Sequence, residues 1–394
     1  MAANPSIQLG TDGNWAIKED NLLAYKKDGT RFFNKEFDFT RNTTATFLDQ
    51  NGLIQESATN TPRIDFTDNA TGHLLLEPQR TNLIPYSEDF SQWTTQGAIS
   101  TASNYGISPD GENNSTRILF SGGSQQIYEN FTSLSGVTGS IYIKGNSGEA
   151  IKFGVTGGEQ TFTLNGDWQR LTTYSGSSTR LTINTFGAAA TARDIQLWGA
   201  QVEEGSYATS YIPTAGSTVT RNEEVCNNSG SVQDFNSEEG VLYTEIAALA
   251  DDVTNRLFSL SNGTTSNRIF LGFNSLSNSI RFRVQVNNVY QAENNFIVAD
   301  ITQYSKIAFK YKENYFALWV NGVEVVVDNS GSTFPLNTIN KLNLDSSSGG
   351  SLFYGKTKNL KVFKRAMSDD ELYLLTVPQY QSYQEMAAAL NYTL

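Results

Sequence analysis

The chain offers few side chains for acid–base or nucleophilic chemistry, because it holds one histidine, His73, and one cysteine, Cys226. His73 sits in "HLLLE" beside a leucine run, away from any Ser or Cys nucleophile motif, and reads as a structural or exposed histidine rather than a base. Cys226 lies in the polar run "RNEEVCNNSG", where Arg221 is the nearest cation, so nothing activates the thiol. One thiol can neither close an internal disulfide nor build a zinc site. No P-loop, Gly-x-Gly-x-x-Gly, His-x-x-x-His or EF-hand pattern occurs. Paired acids remain the one enzymatic route, since a glycosidase needs only two carboxylates about 5–10 Å apart. The adjacent acids Glu88-Asp89, Glu203-Glu204, Asp251-Asp252 and Asp369-Asp370 are expected at turns or a helix start, where solvated and capping roles prevail. The expectation is a protein that is not an enzyme and has no catalytic or cofactor-binding residues.

Sugar binding leaves a softer trace: an aromatic face for the ring, with Asn, Asp, Gln or Arg for the hydroxyls. Trp15, Trp93, Trp168, Trp198 and Trp319 could supply such a face. Trp168 in "GDWQRL" and Trp319 in "FALWVNG" are instead expected in the core, because both sit within strand-like runs. Tyr207 and Tyr211, in the loop "EEGSYATSYIPT", are expected to be exposed and are the candidate glycan-binding residues, with packing between folded parts as the plainer reading. No cofactor is implied, the metal ligands are unknown, and structural calcium stays open without a specific motif.

These residues must be held by a mostly β scaffold. A length of 394 residues implies two or three domains. With 28 Lys+Arg against 40 Asp+Glu, the formal charge of -12 opposes nucleic acid and anionic membrane surfaces as partners. The opening "MAANPSIQLGTDGNW" lacks a basic segment followed by an apolar one, and no later run approaches a membrane span. The expectation is a soluble chain without an export address. Abundant Gly, Ser, Thr and Asn with 12% aromatics suit short strands joined by tight turns.

Composition divides the chain into five segments. Residues 1–82, with turn signals at Asp12-Gly13, Asp28-Gly29 and Asn51-Gly52, read as a small β-rich block too poor in apolar residues to stand alone, hence an attachment or oligomerisation block. Residues 83–225 carry about eight short strands, several alternating as in Ile141/Ile143 and Ile195/Leu197, and predict a jelly-roll sandwich. The polar run at 226–238 reads as a linker. Residues 239–366 predict a second sandwich, with a type I′ hairpin at Asn321-Gly322. Residues 367–394 predict short helices: Ser368 and Glu371 form a capping box, Pro378 ends the first helix, and Tyr380, Tyr383, Met386, Ala387 and Leu390 give the second an apolar stripe that docks on the chain's own domain. Glu77 and Arg80, in "LLLEPQRTN", read as residues that stiffen the junction of the first two segments.

Three stretches carry a resemblance: "FDFTRNTTATFLDQNGLIQE" (37–56), "TPRIDF" with "LLLEPQRTNLIPYSEDFSQW" (61–93), and "DIQLWGAQVEEGSYATSYIPTAGSTVTR" (194–221). Together, over residues 21–225, they resemble a module of tailed-bacteriophage head-fibre, head-spike and tail-fibre-like virion proteins. Within it, residues 83–205 are similar to jelly-roll carbohydrate-binding modules, bracketed by Asn82-Leu83, Phe90 and Trp93 at the start and Asp194 to Gly205 at the end. Residues 239–366, through "ALWVNGVEV" and "LFYGKTKNLKVFKRAMSDDEL", resemble the concanavalin A-like or laminin-G-like lectin sandwich. The sandwich glycosidases similar to that segment usually carry E-x-D-x-x-E on one strand, and no such run occurs here.

The resemblance implies a structural fibre or spike at the surface of a phage particle, made in the host cytoplasm. The N-terminal block would meet other virion proteins of capsid or tail, and the sandwiches would adhere to host or environmental polysaccharide. It also implies a homo-oligomer, a trimer before a dimer. Alternatives are a purely structural decoration protein, a virion-associated polysaccharide-degrading enzyme and a bacterial adhesin.

Overall fold

The computed structural model describes residues 4–67, 69–187, 190–379, 382–389 and 392–393. The fold is mostly β, with tandem antiparallel sandwiches and short helices near the C-terminus. Two compact units are present: residues 1–17, 21–38 and 225–394 form one, and residues 18–20 and 39–224 the other.

In the first unit, one sheet runs in the order Val225–Asn227, Arg31–Thr40, Asn21–Asp28, Ile7–Leu9, Gly355–Phe363, Glu239–Ala248, Ser305–Lys312, Tyr315–Val320 and Val323–Asp328. The last two residues of Arg31–Thr40 belong to the second unit. A second sheet runs Val289–Ile297, Ser279–Val286, Arg268–Phe273, Arg256–Ser261 and Lys341–Asn343. Alternation makes the sandwich. Ile269, Leu271, Ile280, Phe282 and Val284 are buried on one face of the second sheet, and Phe282 stacks on Phe309 of the first at 4.5 Å. The turn at Asn321-Gly322 has positive φ at both residues, 49° and 85°, the geometry that a two-residue hairpin of native twist needs.

Helix Asp369–Thr376 begins with the Ser368/Glu371 capping box. Its Leu372 and the preceding Met367 cover Val241, Tyr243 and Trp319 on the outer face of the first sheet, so Trp319 is buried beneath a helix rather than between the sheets. In the second helix, Tyr383–Ala389, Ala387 is buried and Tyr383 is 67% exposed, so Tyr383 is not part of a buried stripe. Tyr380 and Leu390 lie outside the described residues.

The second unit is built on an eight-stranded sheet in the order Ile99–Ala102, Thr116–Phe120, Arg193–Glu204, Gln126–Gly145, Gln169–Asn184, Ala150–Val155 and Gln160–Thr163, with Thr94–Gln96 also pairing to Gln126–Gly145. Ile118, Phe120, Ile141, Ile143, Phe153, Ile183, Ile195 and Leu197 share its core. Gln126–Gly145 is one strand of 20 residues, longer than the short strands expected for this segment. Its ladder to Gln169–Asn184 continues past an irregularity between Asn130 and Leu134. Polar residues there signal a bend, and the strand does not end.

Two boundaries drawn from composition are corrected. The 1–82 block is divided between the units: Ile7–Leu9 pairs with Gly355–Phe363, with Ile7 opposite Val362, whereas the hairpin Ala45–Leu48/Ile54–Ser57 lies in the second unit. Its thin apolar content reflects ladders to strands far away in sequence. The 226–238 run is no solvated linker, since Cys226, Ser229, Asp234, Phe235 and Ser237 are buried. Several of its polar groups are paired: Asp234 accepts from the backbone N–H of Ser231 at 2.9 Å and pairs with Lys35 at 2.7 Å, and Asn227 donates to Asp345 at 3.1 Å.

Candidate functional site

The outward face of the second sheet of the first unit concentrates charge. In the run "IRFRVQV", Ile280, Phe282 and Val284 enter the core, so period 2 sends Arg281, Arg283 and Gln285 outward. Register then completes the face. Phe270 lies opposite Arg283, Arg268 opposite Gln285, and Glu293 opposite Arg283 on the other side. A bulge between Val284 and Gln285 brings Tyr290 opposite Gln285.

The guanidinium groups of Arg268, Arg281 and Arg283 lie 5.4, 5.5 and 5.1 Å from the centre of the Phe270 ring. Phe270 is only 3% exposed, because the arginines roof it. Arg283 also stacks on Tyr290 at 4.0 Å and donates to its hydroxyl at 3.0 Å, while the Tyr290 ring remains 56% exposed. Glu293 Oε1 accepts from Arg283 at 2.7 Å and from Arg281. Arg268 donates to the backbone carbonyl of Ser346 at 2.6 Å and reaches Gln285 at 3.4 Å.

Electrostatically this face is undercompensated: Arg281 and Arg283 share the carboxylate of Glu293, and Arg268 makes no ion pair, with only the buried Asp345 acting on it through space. Burial first, and then the neighbouring Arg283 charge, lower the pKa of Arg268 and of Arg281. The arrangement presents guanidinium donors, an amide and an exposed phenol around an aromatic floor, the groups that hold sugar hydroxyls and acidic substituents.

The residues expected to bind sugar are placed otherwise. Tyr211 is 3% exposed, packs on Trp198 at 4.5 Å, donates to Glu88 at 2.7 Å and shares a 2.6 Å hydrogen bond with Ser87 Oγ. Burial, and then the Glu88 charge, raise its phenol pKa well above the usual value. It is a core residue and cannot stack on a sugar. Tyr207 is half-buried, with the Arg80 guanidinium 5.4 Å from its ring. Glu77, read from sequence with Arg80 as stiffening the junction, pairs instead with Arg63 and Arg221.

Among the tryptophans, Trp93 and Trp198 are buried, and Trp168 is half-buried against Trp198, Tyr211 and Ile54. Trp15 lines a groove of about 560 Å³ with Tyr25, Phe32 and Phe33. His73 is buried beside Asp65 at 3.5 Å, and Cys226 is buried. The adjacent acids have structural contacts: Asp251 accepts from Ser277, and Asp252 from Arg256 at 2.6 Å. Glu203 is fully buried on a strand, against the expectation of a solvated turn acid, and accepts from Thr209 Oγ1 at 2.8 Å. Among the described residues no group of three or more His, Cys, Asp or Glu could hold a metal ion.

A second charged cluster lies in the second unit, fully internal. Glu224 accepts from Arg41 at 2.7 Å and from Arg63 Nε at 2.9 Å. Glu77 pairs with Arg63 at 2.9 Å and Arg221 at 2.7 Å and accepts from the backbone and hydroxyl of Ser210 at 2.8 and 2.6 Å. Burial pushes the Glu77 carboxyl up, but Arg221, Arg63 and Ser210 outweigh it and hold its pKa at about 2. This cluster is structural and closed to ligands.

Residues 244–372 match the family model of the concanavalin A-like lectin/glucanases superfamily. A search of curated proteins returned no match. Among solved structures, the CBM40 of Ruminococcus gnavus IT-sialidase, bound to alpha2,3 sialyllactose, is similar at 17% identity with a TM-score of 0.32, over 36% of this chain and 83% of that one. Domain 4 of a GH43 extracellular arabinanase from Geobacillus stearothermophilus, in complex with arabinotriose, is similar at 12% identity with a TM-score of 0.31, over 44% and 83%. Domains LG4-5 of the mouse laminin alpha1 chain are similar at 11% identity with a TM-score of 0.24, over 66% and 93%. These are distant likenesses at low identity. The arginine face lies within the matched segment. No residue of that face was singled out from sequence, although "RFR" at two-residue spacing on an otherwise apolar strand is the signal that exposes it.

Proposed function

We propose that this protein binds polysaccharide without turning it over, and does so as a fibre or spike component at the surface of a bacteriophage particle. The observation that carries the binding reading is the grouping of Arg268, Arg281, Arg283 and Tyr290 around Phe270 on the open face of the lectin-like sandwich. Guanidinium forks and the Tyr290 ring supply directional donors and a stacking surface, and neither needs a cofactor. The particle reading rests on the resemblance of residues 21–225 to virion proteins. Under it, the groove of Trp15, Tyr25, Phe32 and Phe33 serves attachment to another virion protein, since Phe32 and Phe33 remain 63% and 46% exposed. Many copies per particle, assembled as trimers or dimers, turn weak single sites into firm adhesion.

The test is binding of the full chain, displayed at particle-like valency, to an array of neutral and acidic glycans and to host cells. Binding that Arg283→Gln removes supports the reading, and blank results on both overturn it. Release of reducing sugar from host capsule would overturn the absence of turnover. Immunogold imaging of particles tests the location.

A further inference from the structure

The arginine face already holds a carboxylate, that of Glu293. One of its oxygens, Oε1, meets both Arg281 and Arg283, while its side chain stays 29% exposed and theirs 22% and 15%. Arg268 lies on the same Phe270 ring and makes no ion pair, although the buried Asp345 acts on it through space; it donates to a backbone carbonyl and an amide, and its buried Nε has no hydrogen-bond partner. Three cations set against Glu293 and the buried Asp345 leave a local surplus of positive charge, in a chain whose formal charge is -12. Burial and mutual repulsion disfavour the charge on Arg268 and Arg281, and a second anion on the face would relieve both. The exposed ring of Tyr290 lies alongside, in position for the body of a pyranose.

From this we infer that the face takes a sugar bearing its own carboxylate, a hexuronic or nonulosonic acid residue, and that Glu293 occupies the Arg281/Arg283 pair until the ligand's carboxylate displaces it. The inference rests on the glycan-binding reading of this face and adds the ligand class and a specificity residue. A carboxylate is favoured over a sulfate because a carboxylate is what the pair already seats. Glu293 is then a competitor held in place by the fold. It keeps the guanidinium groups spread on Phe270 and sets a threshold that neutral sugars, which cannot displace it, do not cross.

The decisive variant is Glu293→Gln, which keeps the shape and removes the charge. The full chain is titrated with a galacturonic acid trisaccharide and a nonulosonic-acid-capped lactose, each beside its carboxyl-reduced form, and with a sulfated galactose trisaccharide. Expected are at least about tenfold tighter binding of one acid than of its reduced form, and a further gain of about five- to tenfold for that acid alone in Glu293→Gln, as removal of an internal anion from a charged site implies. Arg283→Gln should lose the acid. Equal binding of acid and reduced forms overturns the inference but leaves the glycan reading standing, as does a loss of all binding in Glu293→Gln. Preference for the sulfated probe over both acids overturns it in favour of sulfate. No binding of any probe by either protein overturns it too, and blank results in the array and host-cell assays as well would remove the glycan reading with it.

Discussion

Two clusters of three arginines occupy different parts of this chain, and they are built on opposite terms. Arg41, Arg63 and Arg221 have side chains at most 1% exposed and are locked to Glu77 and Glu224, with Glu203, whose carboxyl pKa burial pushes up, as a further acid acting on Arg221. Arg281 and Arg283 share one acid, Glu293, and keep 22% and 15% of their side chains exposed, while Arg268 makes no ion pair and has only the buried Asp345 acting on it through space. In the first cluster every arginine is ion-paired and sealed from solvent, so its strength goes into holding distant segments together. The second is unbalanced and open, so part of its field is directed at whatever arrives from solvent. Residue type does not separate structure from site here; compensation and access do.

The comparison breaks most sharply at Arg63, which bridges both acids of the sealed cluster. Arg63→Met should cost roughly 3–5 kcal/mol, because it strands buried charge on Glu224 and Glu77. The change is read by urea unfolding in a Trp15→Phe, Trp319→Phe background, where the remaining tryptophans, Trp93, Trp168 and Trp198, all lie in the second unit. A cost under about 1 kcal/mol would place the cluster in the class of weak surface pairs.

Acid should act on the same cluster with a smaller and graded effect. The Glu77 carboxyl has a folded pKa of about 2 against an ordinary value of 4.5. Its contribution is therefore fully present above about pH 4.5 and is lost as the pH falls from there toward 2. In the same tryptophan background, the unfolding midpoint of the second unit should fall through that window. A midpoint that stays flat down to pH 3 would contradict the assigned pairing.

Much of the open face was written in the sequence, and almost none of the sealed one. Alternation in "IRFRVQV" fixes which side Arg281, Arg283 and Gln285 take, just as Asn321-Gly322 fixes a hairpin and Ser368 with Glu371 a helix start. What alternation cannot supply is the register that adds Phe270, Tyr290 and Glu293. The sealed cluster is further from reach: Arg41 and Glu224 are 183 positions apart, and each alone reads as an ordinary surface charge. A still longer separation hides the pairing of Ile7–Leu9 with Gly355–Phe363, which is why residues 1–38 read as part of a separate block. Tyr211 misled for a related reason. Its loop is polar, but Trp198, Ser87 and Glu88 close over the ring, and they come from other segments.

On the open side, stability and binding should come apart. Arg283→Gln should cost about 1 kcal/mol or less in folding, since its partner acid keeps Arg281 and is itself partly solvated, yet it should remove glycan binding. A folding cost near that of Arg63→Met would erase the distinction between the clusters.

The smallest effect on folding is expected at Tyr290, and it is the sharpest probe of what the open face is for. Tyr290 is 56% exposed and packs on Arg283, so Tyr290→Ala should shift stability by no more than about 0.5 kcal/mol. If the ring is the platform for a pyranose, the same change should weaken glycan binding about five- to twentyfold, the worth of one aromatic contact. Tyr290→Phe separates the two roles of the side chain. It keeps the ring and removes the hydroxyl that accepts from Arg283 at 3.0 Å. Binding retained in Phe and lost in Ala assigns the contribution to stacking. Binding lost equally in both would mean that the hydroxyl positions Arg283, and the face would then recognise its ligand through the arginines alone.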